Sequence, residues 1–236
     1  MEREGFSRAC VKSPSRCALG VMARAPSAAG KTRLAPHLSA PRLAALRAAL
    51  LADTLDVVAR TARLTDIDVV IFFTPAEGEP EIAALDRDAY PRVCQSAGEL
   101  GQRMRCALEH LIGHGGYGVA LLVGADIPFL SAARIAEARE TLEASGGIVL
   151  GPADDGGYYL IGMMNVHAAL FEQIEWSTAT VLSDTLRSAD RLGIEARLIG
   201  GAYDIDTIDD LRRLERDLAS GSPETASHVR AWFSDG

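Results

Sequence analysis

Short apolar runs alternate along this chain with longer stretches in which apolar residues return every three or four positions. The first pattern reads as buried strands and the second as helices with one apolar face, so the alternation predicts βα units around a mostly parallel sheet. Cys17–Ala23, Asp66–Thr74 and Gly118–Gly124 carry the clearest strand runs, with a short one at Pro91–Gln95. Ile148–Gly151 and Tyr158–Gly162 read as strands flanking a turn. A helix is predicted from Pro41 to Thr61, where Leu43, Leu46, Leu50 and Val57 form the stripe, and another over Glu99–Leu111. Ser131 is placed to cap a helix running to Ala144, and Thr180–Leu192 and Thr207–Leu218 complete the set. The expected architecture is one Rossmann-like α/β domain over residues 17–219, with helices on both faces of the sheet. Residues 1–16 and 220–236 lack periodicity and are expected to be loose.

Composition supports a globular chain: of 236 residues, 48% are hydrophobic and 24% charged, which excludes disordered, collagen-like and coiled-coil classes. Runs such as Val69–Phe73 and Val119–Val123 fall far below the roughly 18 apolar residues that span a bilayer, so no membrane span is expected. Arg24 interrupts Ala18–Ala23 before a signal-peptide core can form, and a cytoplasmic location is expected. Cys10, Cys17, Cys94 and Cys106 show no C-x-x-C pairing and predict neither a zinc site nor a disulfide framework. The net charge of −8 argues against nucleic acid as a partner. Charge is unevenly spread, however: residues 1–47 hold nine Lys or Arg against Glu2 and Glu4, which is +7 and leaves −15 for the rest. A basic first segment on an acidic body predicts a local anion site.

That segment contains Arg24-Ala25-Pro26-Ser27-Ala28-Ala29-Gly30-Lys31-Thr32-Arg33-Leu34, directly after the first predicted strand. Its Gly-Lys-Thr suggests a Walker A loop, but Ala25 stands where that motif needs glycine, and Pro36 would break a helix starting at the lysine. A P-loop NTPase is therefore a remote alternative. What survives is a mobile ammonium and a planar guanidinium one residue apart, suited to diphosphate or triphosphate oxygens. In open α/β sheets ligands sit outside the carboxyl ends of the strands, so groups complementary to such an anion are expected at the other strand ends. Gly124-Ala125-Asp126-Ile127-Pro128 puts Asp126 at such an end, as a Mg²⁺ or Mn²⁺ ligand or as a turn cap. In Tyr203-Asp204-Ile205-Asp206-Thr207-Ile208-Asp209-Asp210, Thr207 reads as an N-cap and Asp209 and Asp210 as first-turn acids, which leaves Asp206 as the metal candidate.

Gly151-Pro152-Ala153-Asp154-Asp155-Gly156-Gly157-Tyr158-Tyr159 is a hairpin turn by its glycines, yet two acids and two aromatics exceed what a turn needs and point to substrate contact. Trp176-Ser177-Thr178 precedes another helix, its hydroxyls serving as caps or as ligands. His110 and His114 share helical spacing but lack the Glu of H-E-x-x-H, and no G-x-S-x-G elbow is present.

Five ordered stretches resemble the bacterial radical-SAM/selenodomain-associated transferases, a glycosyltransferase-like branch of the GT-A nucleotide-diphospho-sugar transferase superfamily. They are ARAP…GKTRLAP at 23–36, QSAGELGQRM at 95–104, GADIP at 124–128, GPADDGGYYLIG at 151–162, and WST with DIDTIDDL at 176–178 and 204–211. KTRLAP is also similar to the phosphate loop of the phospholactate guanylyltransferases. Two departures stand out: the loop from Pro26 to Lys31 is one residue shorter than the family's usual form, and Ile208 replaces a common proline. The resemblance implies a GT-A-like fold with a nucleotide at Ala25, Pro26, Gly30, Lys31, Thr32, Arg33, Gln95, Gly98, Leu100, Gly101 and Arg103. It implies Mg²⁺ or Mn²⁺ at Asp126 and Asp206, and acceptor contacts from Asp154, Asp155, Gly156, Gly157, Tyr158, Trp176, Ser177 and Thr178.

The expected function is metal-assisted glycosyl transfer from a nucleotide-activated donor to a small-molecule acceptor. Lys31 and Arg33 would stabilise the leaving group, with Asp155 as general base. Nucleotidyl transfer from an NTP to a phosphate or carboxylate, and catalytically silent nucleotide binding, are the alternatives. Nothing in the sequence sets the oligomeric state.

Overall fold

The computed structural model describes residues 16–221 and 226–235, so the expectation for residues 1–15 lies outside the described residues. Seven strands form one sheet: β1 Cys17–Arg24, β2 Ile67–Thr74, β3 Arg92–Cys94, β4 Val119–Gly124, β5 Ile148–Pro152, β6 Tyr158–Met163 and β7 Ala196–Leu198. Their order is β3-β2-β1-β4-β6-β5-β7. Only β6 runs against its neighbours, pairing antiparallel with β4 and β5. The helices are α1 Ala40–Leu64, α2 Glu79–Leu85, α3 Leu100–Glu109, α4 Ala132–Ser145, α5 Val181–Arg191, α6 Ile208–Ser220 and α7 Ser227–Ser234. The single α/β domain with helices on both sheet faces is thus as expected.

Strand alternation sorts β1 between two cores. Cys17, Leu19, Val21 and Ala23 pack on one face with Leu51, Leu55 and Val58 of α1, Ile82 of α2 and Ile135 and Leu142 of α4. Ala18 joins the other face with Met104 and Leu108 of α3 and Ala189 of α5. In-register pairing brings Arg24 level with Thr74, and Met22 level with Gly124, so several strands end along one edge.

Helix α1 is buried on two sides, which corrects the predicted stripe. Leu43, Leu46 and Leu50 turn away from the sheet into a third core with Leu211, Leu214 and Leu218 of α6 and Val229 and Trp232 of α7. The C-terminal stretch expected to be loose therefore includes a docked helix. Asp53, buried in α1, accepts from the backbone N–H groups of His228 (2.9 Å) and Val229 (3.0 Å), satisfying two donors at the start of α7. Eight residues with two inward side chains are too few to show a helical period in sequence. Helix α2 and the three-residue β7 escaped notice for the same reason. After α3 the chain widens into a π-turn over His110–His114, placing the two imidazoles 5.7 Å apart and away from the cleft described below.

Candidate active site

The carboxyl ends of β1, β2 and β4 and the segment after β3 open onto a cleft of about 540 Å³, within the range of small-molecule sites. Arg24, Thr74, Gln95 and Gly124 line it from these strand ends, Asp204 and Asp206 from the segment before α6, and Asp155 and Tyr158 from the β5–β6 turn.

Its deepest polar feature is an acidic gap. Asp126, Asp204 and Asp206 each bring one carboxylate oxygen within 4.8 Å of the others, a hard-oxygen set that could hold a divalent cation. Asp126 follows β4, and Asp206 is oriented by α6, where Thr207 and Asp210 form a capping box and Asp210 also accepts from the Asp206 N–H at 3.2 Å. Asp204 was not singled out in the sequence. The signal lay in its spacing, because residues two apart in an extended segment project to the same side.

Lys31 enters this gap. Its Nζ donates to Asp126 Oδ2 (3.0 Å), Asp206 Oδ1 (3.1 Å) and the Ile205 carbonyl (2.6 Å), which uses all three ammonium protons. Burial opposes the lysine's charge, but Asp126 and Asp206 outweigh it and hold its pKa above the ordinary value. Burial likewise opposes the Asp126 charge, and Lys31 outweighs it to hold that carboxyl below its usual range. Asp204, beside these acids and Asp155, is pushed up to about 7, first by burial and then by its neighbours' charge. Lys31 and the acids do share one cleft, and all three of the ammonium's protons go to Asp126, Asp206 and the Ile205 carbonyl.

The rest of that loop departs from expectation. No helix begins at Lys31, whose φ is +49°, and α1 starts only at Ala40, so the P-loop geometry does not form. Arg33 and Thr32 are exposed and do not line the cleft, while Ala25 and Pro26 are buried beneath it. Arg24 and Arg47, neither of them singled out, line it instead. Arg24 Nη1 donates to the Ala29 carbonyl at 2.7 Å; Arg47 Nη2 donates to Ala25 O at 2.9 Å, and its Nη1 to Ala28 O. Arg47 lies on α1, remote in sequence from the loop it braces, and no local pattern announces it.

Of the second motif, Gln95, Leu100 and Arg103 line the cleft. Gln95 Nε2 donates to the carbonyls of Phe72 (2.8 Å) and Ala23 (3.2 Å), fixing the amide between β1 and β2. Gly98 and Gly101 shape the wall without lining it. Arg103 Nε donates to Gly98 O at 2.8 Å, and a β-carbon on Gly101 would collide with the Trp176 indole. Trp176 stacks on Phe171 with ring centroids 6.4 Å apart, joining the α3 wall to the loop that carries Ser177 and Thr178.

On the far wall the chain alternates: Ala153 and Asp155 line the cleft, while Asp154 lines an adjoining cavity and binds Arg213 at 2.7 Å. The structure thus does not bring Asp154 together with the other expected substrate residues in the cleft. Gly156 takes φ +88° and packs against the Ala179 carbonyl, and Gly157 lines the cleft. Tyr158 and Tyr159 line it too, and Tyr159 donates its hydroxyl to Gly200 O at 3.0 Å. Ser177 and Thr178 line the rim, and the Thr178 hydroxyl donates to Glu175 O at 2.8 Å.

Sheet, strand-end cleft and acidic gap define a single-domain α/β protein with the fold of nucleotide-diphospho-sugar transferases. A candidate nucleotide-diphospho-sugar transferase from Desulfovibrio desulfuricans G20 superposes with a TM-score of 0.84 at 26% identity, over 94% of this chain and 95% of that one. The fold alone is shared with the 4-diphosphocytidyl-2C-methyl-D-erythritol synthase of Anaerococcus prevotii DSM 20548 (TM-score 0.59, 13% identity, 88% and 100% covered). The same holds for a CMP:2-keto-3-deoxy-manno-octonic acid synthetase complexed with CTP (TM-score 0.56, 11% identity, 87% and 99% covered). The chain belongs to the family DUF2064, described as an uncharacterized protein conserved in bacteria, whose model matches residues 54–178. No curated protein matches its sequence. Among the described residues no helix is long and apolar enough to cross a membrane.

Proposed function

We propose that this protein is a transferase that uses a nucleotide-activated donor and passes a glycosyl group to a small-molecule hydroxyl with the help of Mg²⁺ or Mn²⁺. The observation that carries this reading is the acidic gap of Asp126, Asp204 and Asp206 in the same cleft as Asp155. A hard divalent cation matches the three carboxylate oxygens, and when bound it supplies positive charge against the diphosphate leaving group. Asp155 keeps its carboxylate at the cleft because its own turn holds it: Oδ1 accepts from the Gly157 N–H at 2.9 Å. In this reading it takes the proton from the acceptor hydroxyl as the new bond to the sugar forms. Trp176, Gly157 and Tyr158 shape the acceptor end, and Gln95, Leu100 and Arg103 the nucleotide end. The resemblance to selenodomain-associated transferases agrees with this assignment.

Nucleotidyl transfer is the second reading, favoured by the fold shared with a synthetase solved with CTP. A phosphate or carboxylate acceptor is already ionised and needs no base, so Asp155 would be dispensable. Incubation with Mg²⁺ and panels of sugar nucleotides and NTPs separates the two. Release of nucleoside diphosphate supports glycosyl transfer, release of pyrophosphate overturns it in favour of nucleotidyl transfer, and binding without turnover marks a silent binder.

A further inference from the structure

Of the two cations legible in the β1–α1 turn, neither is left free in the cleft. Lys31 has no proton to spare, and Arg33 is outside. Arg24 and Arg47, by contrast, converge on Gly30 from two elements. A β-carbon placed there would lie 3.4 Å from Arg24 Cδ, 3.8 Å from Arg24 Nη1 and 3.7 Å from Arg47 Nη2. Glycine keeps that space between the two guanidinium groups open. Other guanidiniums, those of Arg16, Arg92, Arg134, Arg139 and Arg213 among them, meet a carboxylate within 4 Å. Among the described residues neither Arg24 nor Arg47 has such a partner; Glu81, the nearby acid on α2, is held by the Ser27 hydroxyl and N–H.

Two like charges brought together at a half-buried wall repel, and burial followed by Arg24 holds Arg47 below its ordinary pKa. Their bonds to Ala25, Ala28 and Ala29 use only part of the five N–H donors that each guanidinium carries. A fold that pins two cations side by side with donors unspent, in a cleft, is built for an anion with several oxygens.

We propose that Arg24 and Arg47 clamp the phosphate groups of the donor without the metal, and that Lys31 and Arg33 do not. This rests on the nucleotide-donor reading above and names the part of the donor that the β1–α1 turn recognises. The test is calorimetric titration of the full chain with inorganic pyrophosphate, and with a nucleoside triphosphate, in EDTA. Wild type is compared with Arg24→Met, Arg47→Met, the double variant and Arg33→Met, each checked by its melting curve.

Pyrophosphate is expected to bind wild type and Arg33→Met alike and to lose on the order of tenfold or more in affinity with either clamp variant, the usual worth of a charge-assisted contact. Arg47 also braces the turn, so exposed Arg24 decides the matter if Arg47→Met melts early. No binding in EDTA, unchanged affinity in Arg24→Met, or an equal loss in Arg33→Met would overturn the clamp. Clamp-dependent pyrophosphate binding without turnover of any nucleotide would leave the clamp standing and remove the transferase. Nucleotide turnover with an unchanged KM in Arg24→Met would do the reverse.

Discussion

The turn between β5 and β6 holds the Asp155 carboxylate with its own backbone, although Ala202, Leu182 and Arg213 anchor its flanks, whereas the long turn between β1 and α1 has its cationic and polar side chains held by residues from distant parts of the chain. In the first, Ala153 N–H donates to Gly157 O (3.0 Å), Gly156 N–H to Ala153 O (3.1 Å) and Gly157 N–H to Asp155 Oδ1 (2.9 Å). In the second, Arg47 reaches back 22 positions to Ala25, Ser27 is bound by Glu81, and Lys31 reaches 95 positions to Asp126 and 175 to Asp206. Because the Gly157 N–H holds it, the Asp155 carboxylate is presented without help from Lys31 or Arg47. A turn latched by remote side chains is only as well placed as those side chains, so its cations and the acidic gap should respond together.

The largest effect expected from this contrast is at Asp155. Asp155→Asn should lower transfer to a hydroxyl acceptor on the order of 10²–10⁴-fold, as loss of a general base does, and leave the melting temperature and nucleotide binding unchanged. Full activity in that variant would break the catalytic half of the comparison. Next, Asp126→Asn should cost on the order of a hundredfold in turnover. Because it also removes a partner of buried Lys31, it should loosen the β1–α1 turn. Protease cleavage within residues 26–38 reads that loosening, and unchanged cleavage would show that the turn does not depend on its remote latches.

Gly156→Ala offers the converse test, a fault in the β5–β6 turn and its contact with the segment before α5. Its φ of +88° and the contact with Ala179 O make any side chain strained, costing about 1–3 kcal/mol. At this chain length that is roughly 2–4 °C of melting temperature per kcal/mol. The effect should arise without loss of pyrophosphate binding.

The smallest effect is one of pH. Asp204 titrates near 7 in the folded protein and near 4 in the unfolded chain, so between those values the folded state holds a proton that the unfolded chain has lost. In EDTA the melting temperature should therefore fall as pH rises from 5 to 7 and level off above, and Asp204→Asn should flatten that slope. In Mg²⁺ the trend should oppose this, since a carboxylate must be ionised to bind metal. Coincident curves in EDTA and Mg²⁺ would separate the gap from any metal.

Much of the sheet was legible because its signals are local. β1, β2, β4 and β6 each contain a continuous apolar run, and Ser131 and Thr207 stand before the helices they cap, each accepting from a backbone N–H. Asp126 and Asp155 were legible because a strand end and a glycine turn fix where a single side chain emerges. Lys31 was read as a phosphate ligand because its partners, near residues 126 and 206, are invisible from the Gly-Lys-Thr that surrounds it. Asp154 was grouped with Asp155 because adjacency in sequence hides the alternation that sends it to Arg213.

What the sequence by itself determined is most of the elements, the class of fold and the strand ends where charged groups collect, since each follows from backbone propensity and the burial of a local face. Which cations stay free was decided only by tertiary structure. A charge is available to a ligand only if no partner reaches it, and that depends on contacts between segments far apart in the chain. Packing brought two acids to Lys31 and, among the described residues, left Arg24 and Arg47 side by side with no carboxylate partner.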